Sequence, residues 1–309
     1  MVREQKFKYM KATYSKVNWL MSDYQKGLLI TVCGVLLVTP DSLFVRIIET
    51  PAMTIAFWRS AVSGTLIVCF LLLFEGRSSF RVVFQMGIMG WVYCFLIGST
   101  SPAFVLAVEN TSVANVVFIF AAIPVFAAIY SHLFLGEHIS TRLAITMIAV
   151  AFGLSVIAYG SSENEIAHWS GDLFALYIAL AYAGALTILR GLKDISMVPA
   201  IPIGYLGSAV LLGMTVDPMR GFAENFGLYL AHGACIAAAT ACLTIGPRYI
   251  SSPEVSLLIL LESVLAPFLV WAVLSEHPGQ WAILGGIIVV GALLVSNVYV
   301  YLKSARLKR

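Results

Sequence analysis

Charged residues are scarce in this 309-residue sequence. Asp, Glu, Lys and Arg together make up 11% of the chain, whereas 60% of it is hydrophobic. A typical soluble domain carries about a quarter charged residues, so a water-facing surface is excluded for most of this chain. The net charge of +3 is too small to indicate nucleic-acid binding, which we do not expect. The composition predicts a protein that crosses a membrane many times.

Motifs of metal sites, disulfide frameworks and enzymes are missing as well. The five cysteines fall in apolar runs without CxxC spacing. No HExxH or GxSxG motif occurs, and the longest loop, around 161–170, has no catalytic pattern. Strict alternation of apolar and polar residues is also missing, which disfavours a membrane β-barrel. We therefore expect no enzyme, no catalytic residue, no cofactor and no metal.

The basic segment at 1–25 has no hydrophobic region of the kind found in a cleavable signal. Two interpretations stay open. The segment lies on anionic lipid as an amphipathic anchor, or Met21 is the natural start and the residues before it are not translated. We favour the second.

Ten apolar runs of helix length follow one another along the chain, which matches its length at about 20 residues per span. Ten spans place both termini on one side, and that side carries sixteen of the nineteen Lys and Arg residues, against two on the other. Positively charged loops stay in the cytoplasm, so we expect cytoplasmic termini. The predicted spans are 27–47, 53–73, 82–108, 112–135, 144–159, 171–189, 199–216, 225–244, 255–274 and 281–301.

The two halves of the chain resemble each other. A shift of 139 residues aligns 112–138 with 251–277 at seven positions, and a shift of 144 pairs Arg46 with Arg190. Each half then holds five spans, and an odd number turns the second copy upside down in the membrane. Secondary transporters are commonly built in this way, with the binding site near the midplane where the repeats meet.

A family resemblance rests on the run NTSVANVVFIFAAIPVFAAIYSHLFLGEHIS, which begins at Asn110. It resembles the fourth-helix signature of the drug/metabolite transporter superfamily, EamA-like domain. The shared elements are a polar turn, small residues at the helix start, Pro124 within the helix and Gly136-Glu137 at its end.

Two further stretches are similar to the same family. The tripeptide FWR at 57–59 resembles the start of its second helix. The run from 251 resembles the fourth-helix signature in the second copy, where many members carry a Glu-Pro pair. This chain keeps Glu262 but has Ser263 in place of the proline, so a kink there depends on Pro267.

The resemblance covers essentially 21–303 and implies an all-α integral membrane fold. Ten transmembrane helices form two inverted five-helix repeats, 26–160 and 169–303, around a central cavity, and a basic tail follows at 304–309. The family implies a bacterial inner membrane protein, a monomer or homodimer, that rocks between outward-open and inward-open states. Its members carry chemically diverse substrates on one scaffold.

Three classes of function compete. A secondary active transporter of small organic metabolites accounts for the repeat and for the charges inside spans. A channel needs rings of pore charge, which are missing, and a structural membrane protein needs neither the duplication nor an acid near the midplane. An enzyme needs a catalytic constellation. We expect efflux of amino acids or related zwitterions, with protons as the candidate coupling ion. The alternative is import or uniport of a nucleotide derivative, a sugar or a vitamin.

Glu262 is the leading site residue, because it interrupts an apolar run where a charge costs about 3 kcal/mol. It binds the substrate or a proton, or else it is a neutral acid that only packs. His232 is a candidate proton relay to it.

Asp41 and Arg59 lie at equal predicted depth, roughly 10 to 12 Å from the same side, so we expect an ion pair. The pair serves as a gate, as a substrate anchor or only as a packing contact. Pro40 should break the helix before Asp41.

The remaining candidates for the cavity are aromatic or hydroxyl side chains, for which packing is the competing explanation. They are Trp58, Tyr93, Tyr182 and Ser99.

Overall fold

Long apolar stretches become helices in a membrane, because a helix satisfies every backbone N–H and C=O internally. The computed structural model describes residues 23–136, 141–161, 168–192, 195–250 and 252–307, and these contain thirteen α-helices and no strand. The helices are α1 Asp23–Val38, α2 Asp41–Ile47, α3 Ala52–Phe74, α4 Arg81–Gln85, α5 Gly87–Asn110, α6 Val113–Phe120, α7 Ile123–Leu135, α8 Thr141–Ser161, α9 Trp169–Gly191, α10 Ile201–Gly213, α11 Phe222–Ile245, α12 Ser252–Leu274 and α13 Gln280–Leu307. Glu137 of the predicted signature lies outside the described residues.

Six segments of the described chain are long and apolar enough to cross a membrane. They are Tyr24–Ile47, Ala52–Phe74, Gly87–Asn110, Val113–Phe134, Trp169–Gly191 and Phe222–Ile245. Shorter apolar helices occupy the other predicted spans: Ala144–Ile157, Val198–Gly213, Leu265–Leu274 and Gln280–Ser296. A multi-pass helical membrane protein is thus confirmed, and the count of ten spans stays a prediction.

The third predicted span begins later than expected. It was placed at 82–108, but Arg81–Gln85 is a separate short helix, and α5 starts at Gly87. Gly87 has a φ of +60°, a backbone angle that favours glycine and breaks the helix at this point.

Two of the spanning segments are made of two helices each. The first divides between α1 and α2 at Thr39 and Pro40, and the fourth divides between α6 and α7 at Ala121 and Ala122. Proline lacks the N–H that a continuous helix needs, which explains the first break. In the second, Pro124 lies in the first turn of α7, where proline is tolerated.

Helices from opposite halves of the chain pack against each other. The main pairs are α1 with α11, α3 with α10, α3 with α11, α5 with α9, α5 with α10, α6 with α12, and α8 with α13. Gly98 of α5 and Gly204 of α10 let two of these backbones touch. A Cβ on Gly98 would lie 2.5 Å from the carbonyl oxygen of Gly204, and one on Gly204 would collide with the carbonyl of Cys94. The hydrophobic effect does not drive helices together in lipid, and small residues at such crossings let the backbones approach and pack closely.

We expect Gly204→Ala to destabilise the protein by about 1 to 3 kcal/mol, because the added methyl group overpacks a backbone contact. Gly207→Ala is the matched control in the same helix, since nothing lies within 4 Å of a Cβ there. Thermal unfolding of the purified variants in detergent measures the difference. Equal unfolding midpoints for the two variants would contradict the close crossing.

Candidate functional site

The break in the first spanning segment places a carboxylate inside the bundle. Thr39 donates its hydroxyl to the carbonyl of Val35 at 2.8 Å, and α2 starts at Asp41 immediately after Pro40. The first turn of a helix carries unpaired N–H groups, which favour a negative side chain. The predicted break at Pro40 is therefore present, and it makes Asp41 the first residue of a new helix.

Asp41 and Arg59 form the buried ion pair that their equal depth predicts. Arg59 of α3 donates from Nε to Oδ1 of Asp41 at 3.1 Å and from Nη2 to Oδ2 at 2.6 Å. This arrangement matches the fork of the guanidinium to the two carboxylate oxygens. Asp41 is 2% exposed and Arg59 is 7% exposed. The two charges thus neutralise each other at a position where water does not hydrate them.

The remaining surface of the Arg59 guanidinium is also engaged. Nη1 donates to Oγ of Ser101 at 2.9 Å, and Ser60 donates to the same oxygen at 2.7 Å. The guanidinium carbon lies 5.2 Å from the centre of the Phe104 ring, within cation–π distance. Three of the five guanidinium N–H groups are thus engaged, and they tie Arg59 of α3 to α2 and α5.

An imidazole from the second half of the chain completes this cluster. Nε2 of His232 in α11 lies 2.6 Å from Oδ1 of Asp41, and the His232 ring stacks on Phe44 at 5.1 Å between centroids. The side chain is fully buried, and its Nδ1 has no hydrogen-bond partner among the described residues. Sequence reasoning considered His232 only as a relay to Glu262 and missed Asp41. The available signal was a lone histidine inside an apolar run.

Glu262 lies half-buried in α12. The charges of both Asp41 and Arg59 act on its carboxyl group. Within the described part of the chain it forms no hydrogen bond or ion pair. Because Asp41 and Arg59 already neutralise each other, Glu262 is the acid of this cluster that is open to a further cation.

Tyr182 and Tyr93 border the same region. Tyr182 of α9 is half-buried between the two main apolar clusters, and Tyr93, Tyr205 and Glu262 act electrostatically on its hydroxyl. Tyr93 of α5 is fully buried, with its hydroxyl oxygen 3.3 Å from that of Thr244. The structure thus brings Tyr182 toward Glu262 and places Tyr93 deeper in the packing.

Ser99 does not face the charge cluster. Its hydroxyl donates to the carbonyl of Leu96 at 2.9 Å and accepts a hydrogen bond from Tyr177, an exposed residue, at 2.6 Å. Ser101, two residues further along α5, is the hydroxyl that reaches Arg59. A shift of two residues turns a side chain to the other side of the helix, so the polar patch was located but its inward residue was not.

Trp58 is held in an aromatic stack. Its ring lies 4.6 Å from Phe222 and 5.7 Å from Tyr229 between centroids, and its Nε1 donates to the carbonyl of Pro218 at 2.8 Å. The indole therefore ties α3 to α11 and to the loop before it. The ring packs on two aromatic residues and its N–H donor is engaged, so the structure favours packing over a substrate contact for this residue.

A polar pocket of about 590 Å³ opens at the end of the bundle where α2 finishes, called here the Arg46 end. Its charged wall residues are Arg46, Glu49, Glu109, Arg220 and Glu224. Its apolar lining includes Val45, Ile55 and Val105, which are buried.

An ion pair at the same end joins the two halves of the chain. Nε of Arg46 lies 2.9 Å from Oε2 of Glu276, which follows α12. Nη2 of Arg46 donates to the carbonyl of Thr111 at 2.9 Å, and Oε1 of Glu276 accepts the backbone N–H of Val113 at 3.1 Å. Glu276 thereby caps the start of α6. Sequence reasoning missed this contact, because its partners are 230 residues apart.

Apolar helices of spanning length around an interior charge cluster define the class as a multi-pass helical membrane protein. Residues 25–159 match the EamA-like transporter family, which confirms the resemblance to the drug/metabolite transporter superfamily. The match covers 135 of the 309 residues.

Relatives and a solved structure cover most of the chain. The pseudopaline exporter CntI from two Pseudomonas aeruginosa strains, UCBPP-PA14 and PAO1, is 25% identical over 252 residues, which is 79% of this chain and 85% of each exporter. A solved crystal structure matches 89% of this chain and 97% of its own with a TM-score of 0.63 and 16% identity. At that identity it shows a shared fold alone.

We expect Arg59→Gln to lower the free energy of unfolding by about 3 to 5 kcal/mol, because it strands a buried carboxylate. Combining it with Asp41→Asn should recover most of the loss, since no unpaired charge then remains. Thermal unfolding in detergent measures both effects. Arg220→Gln, at an exposed position, is the control and should change stability by no more than about 0.5 kcal/mol. A single Arg59→Gln variant as stable as this control would argue against the ion pair.

Proposed function

We propose that the protein is a secondary active exporter of small organic metabolites that carry an amine, with amino acids and related zwitterions as the leading substrates. The observation that carries this proposal is the position of Glu262, a carboxyl group without a partner among the described residues, beside a neutralised Asp41–Arg59 pair.

The charge balance of the cluster determines what Glu262 can bind. Asp41 and Arg59 cancel, so with a neutral His232 an ionised Glu262 leaves one net negative charge among the described residues of the cluster. An uncompensated charge near the centre of a bilayer costs about 3 kcal/mol or more. A proton or a substrate ammonium group removes that cost, and the two compete for one carboxylate. Such competition is the basis of exchange: the substrate leaves when a proton takes its place.

The relatives support the outward direction of transport, since both are exporters of pseudopaline by name. Pseudopaline is therefore the first compound to test on this protein. We place the termini in the cytoplasm of a bacterial inner membrane on the distribution of Lys and Arg, which makes the Arg46 end the outer end.

The helix contacts support two inverted five-helix repeats, 26–160 and 169–303. If each predicted span of the first half corresponds to the span five places later, α1 corresponds to α9 and α5 corresponds to α11. The contact of α1 with α11 then has its counterpart in the contact of α9 with α5. The contact of α3 with α11 likewise exchanges with that of α10 with α5. The helices α8 and α13 are counterparts of each other, so their contact corresponds to itself. Rocking of the two repeats would expose the cluster to each side in turn.

The Glu262→Gln variant should lose counterflow while keeping its fold, because a neutral amide can exchange neither a proton nor an ammonium group. Glu262→Asp keeps the carboxylate and is the matched control, with reduced but measurable counterflow. Proteoliposomes loaded with unlabelled pseudopaline and assayed for uptake of labelled pseudopaline provide the measurement, with amino acids as a second panel. Full activity of Glu262→Gln would remove this residue from the mechanism, and no saturable counterflow with either panel would overturn the carrier.

Binding without transport gives a separate check. A ligand that binds the folded protein raises its apparent stability, by about 2.7 kcal/mol at a hundred times Kd. We expect a compound with an amine to raise the unfolding midpoint of the wild-type protein and to have no such effect on Glu262→Gln. An equal shift in both proteins would place the binding site elsewhere.

A further inference from the structure

Three segments each have residues at intervals of four positions that lead from the buried charge cluster to the pocket. The first residue of each series lies in the buried charge cluster, the second in the apolar lining of the pocket, and the third at the pocket wall. The series are Asp41, Val45 and Glu49 at α2; Arg59, Ile55 and Pro51 at α3; and Ser101, Val105 and Glu109 at α5. Four residues of helix rise about 6 Å, so the first two residues of each series are about one helical turn apart.

The middle residues form a thin apolar layer. Val45 is 7% exposed, Ile55 is 3% exposed and Val105 is 0% exposed. All three line the pocket that opens at the Arg46 end. One layer of side chains, a single helical turn thick, therefore separates the pocket from the Asp41–Arg59 pair.

The path toward the opposite end of the bundle is much longer. Ile67 and Leu71 of α3 are buried beyond Arg59, and Tyr93 of α5 and Met86, which precedes α5, are buried in the same apolar cluster. Leu71 lies twelve residues from Arg59, which corresponds to about 18 Å of helix. The short way from the charge cluster to the surface is through the thin layer.

We propose that Val45, Ile55 and Val105 form a gate, and that the pocket is the vestibule through which an amine-bearing substrate leaves. This inference rests on the proposed function. The layer is apolar, so it excludes water and ions while it is closed. Because it is about one helical turn thick, a small displacement of its side chains would open it.

The helix α2 is the element suited to open this gate. It has seven residues, follows the break at Pro40 and ends at Ile47, and Ile48 after it has an extended backbone. It carries both Val45 of the layer and Asp41 of the cluster. One displacement of α2 would remove Val45 from the layer and draw Asp41 away from the Arg59 fork. Opening the gate and loosening the ion pair are thus one movement.

Thiol accessibility tests the layer without any substrate. Ser101→Cys and Glu109→Cys place thiols below and above it on the same helix. The protein in lipid nanodiscs is treated with a positively charged methanethiosulfonate reagent, and labelling is quantified at each cysteine by mass spectrometry. We expect the thiol of Glu109→Cys to react and that of Ser101→Cys to react at least about tenfold more slowly, since a buried thiol is inert. Cys94, buried in α5 on the far side of the cluster, is the internal control and should stay unlabelled.

Thinning the layer should expose the protected thiol. Adding Val105→Ala to Ser101→Cys is expected to raise its labelling rate by about tenfold and to leave Cys94 unlabelled. Ile55→Ala, on the facing helix, should do the same and serves if the first combination does not fold. Rapid labelling of Ser101→Cys with the layer intact overturns the gate, and so does a rate that neither alanine changes.

The outcome is independent of the transport assay. Protected Ser101→Cys in a protein without counterflow would overturn the exporter and leave the apolar barrier standing. Freely labelled Ser101→Cys in a protein with counterflow would overturn the gate and leave the exporter standing.

Discussion

Arg59 can lie inside a membrane only because Asp41 neutralises it, and much of the structure serves that contact. The break at Pro40 starts α2 at the depth where the carboxylate meets the guanidinium. Ser101 and His232 hold the two partners from α5 and α11. A buried pair of this kind adds little stability over an apolar packing of the same shape, but it is costly to break. It therefore fixes how four helices are arranged.

The ion pair between Asp41 and Arg59 also affects Glu262. Arg59 donates to both oxygens of Asp41 and to Ser101, and it forms no direct ion pair with Glu262 among the described residues. Among the described residues of the charge cluster, Glu262 is thus the carboxyl group without a direct partner. In the exporter proposed above, a proton or a substrate ammonium group would fill this position.

The structure also shows an asymmetry between the two ends of the bundle. At the Arg46 end, a pocket approaches the cluster to within one helical turn, and an ion pair between Arg46 and Glu276 links the two halves. Toward the other end, several turns of apolar packing around Tyr93 close the path. Helices in membranes associate through small residues and polar contacts and not through the hydrophobic effect. The pair between Arg46 and Glu276 is therefore a point at which the two halves are held together.

The amino-acid sequence by itself determined the membrane class, the order of the apolar helices, the break at Pro40 and the pairing of Asp41 with Arg59. Each of these depends on local hydrophobicity, on one missing N–H or on counting depth along a helix. The family resemblance likewise rested on residues that are close in sequence. The tertiary structure decided that Ser101 and not Ser99 joins the cluster, that Trp58 is enclosed by Phe222 and Tyr229, and that His232 meets Asp41. These contacts depend on how each helix is rotated about its axis and which distant helix it faces, and in lipid hydropathy does not distinguish one apolar face from another.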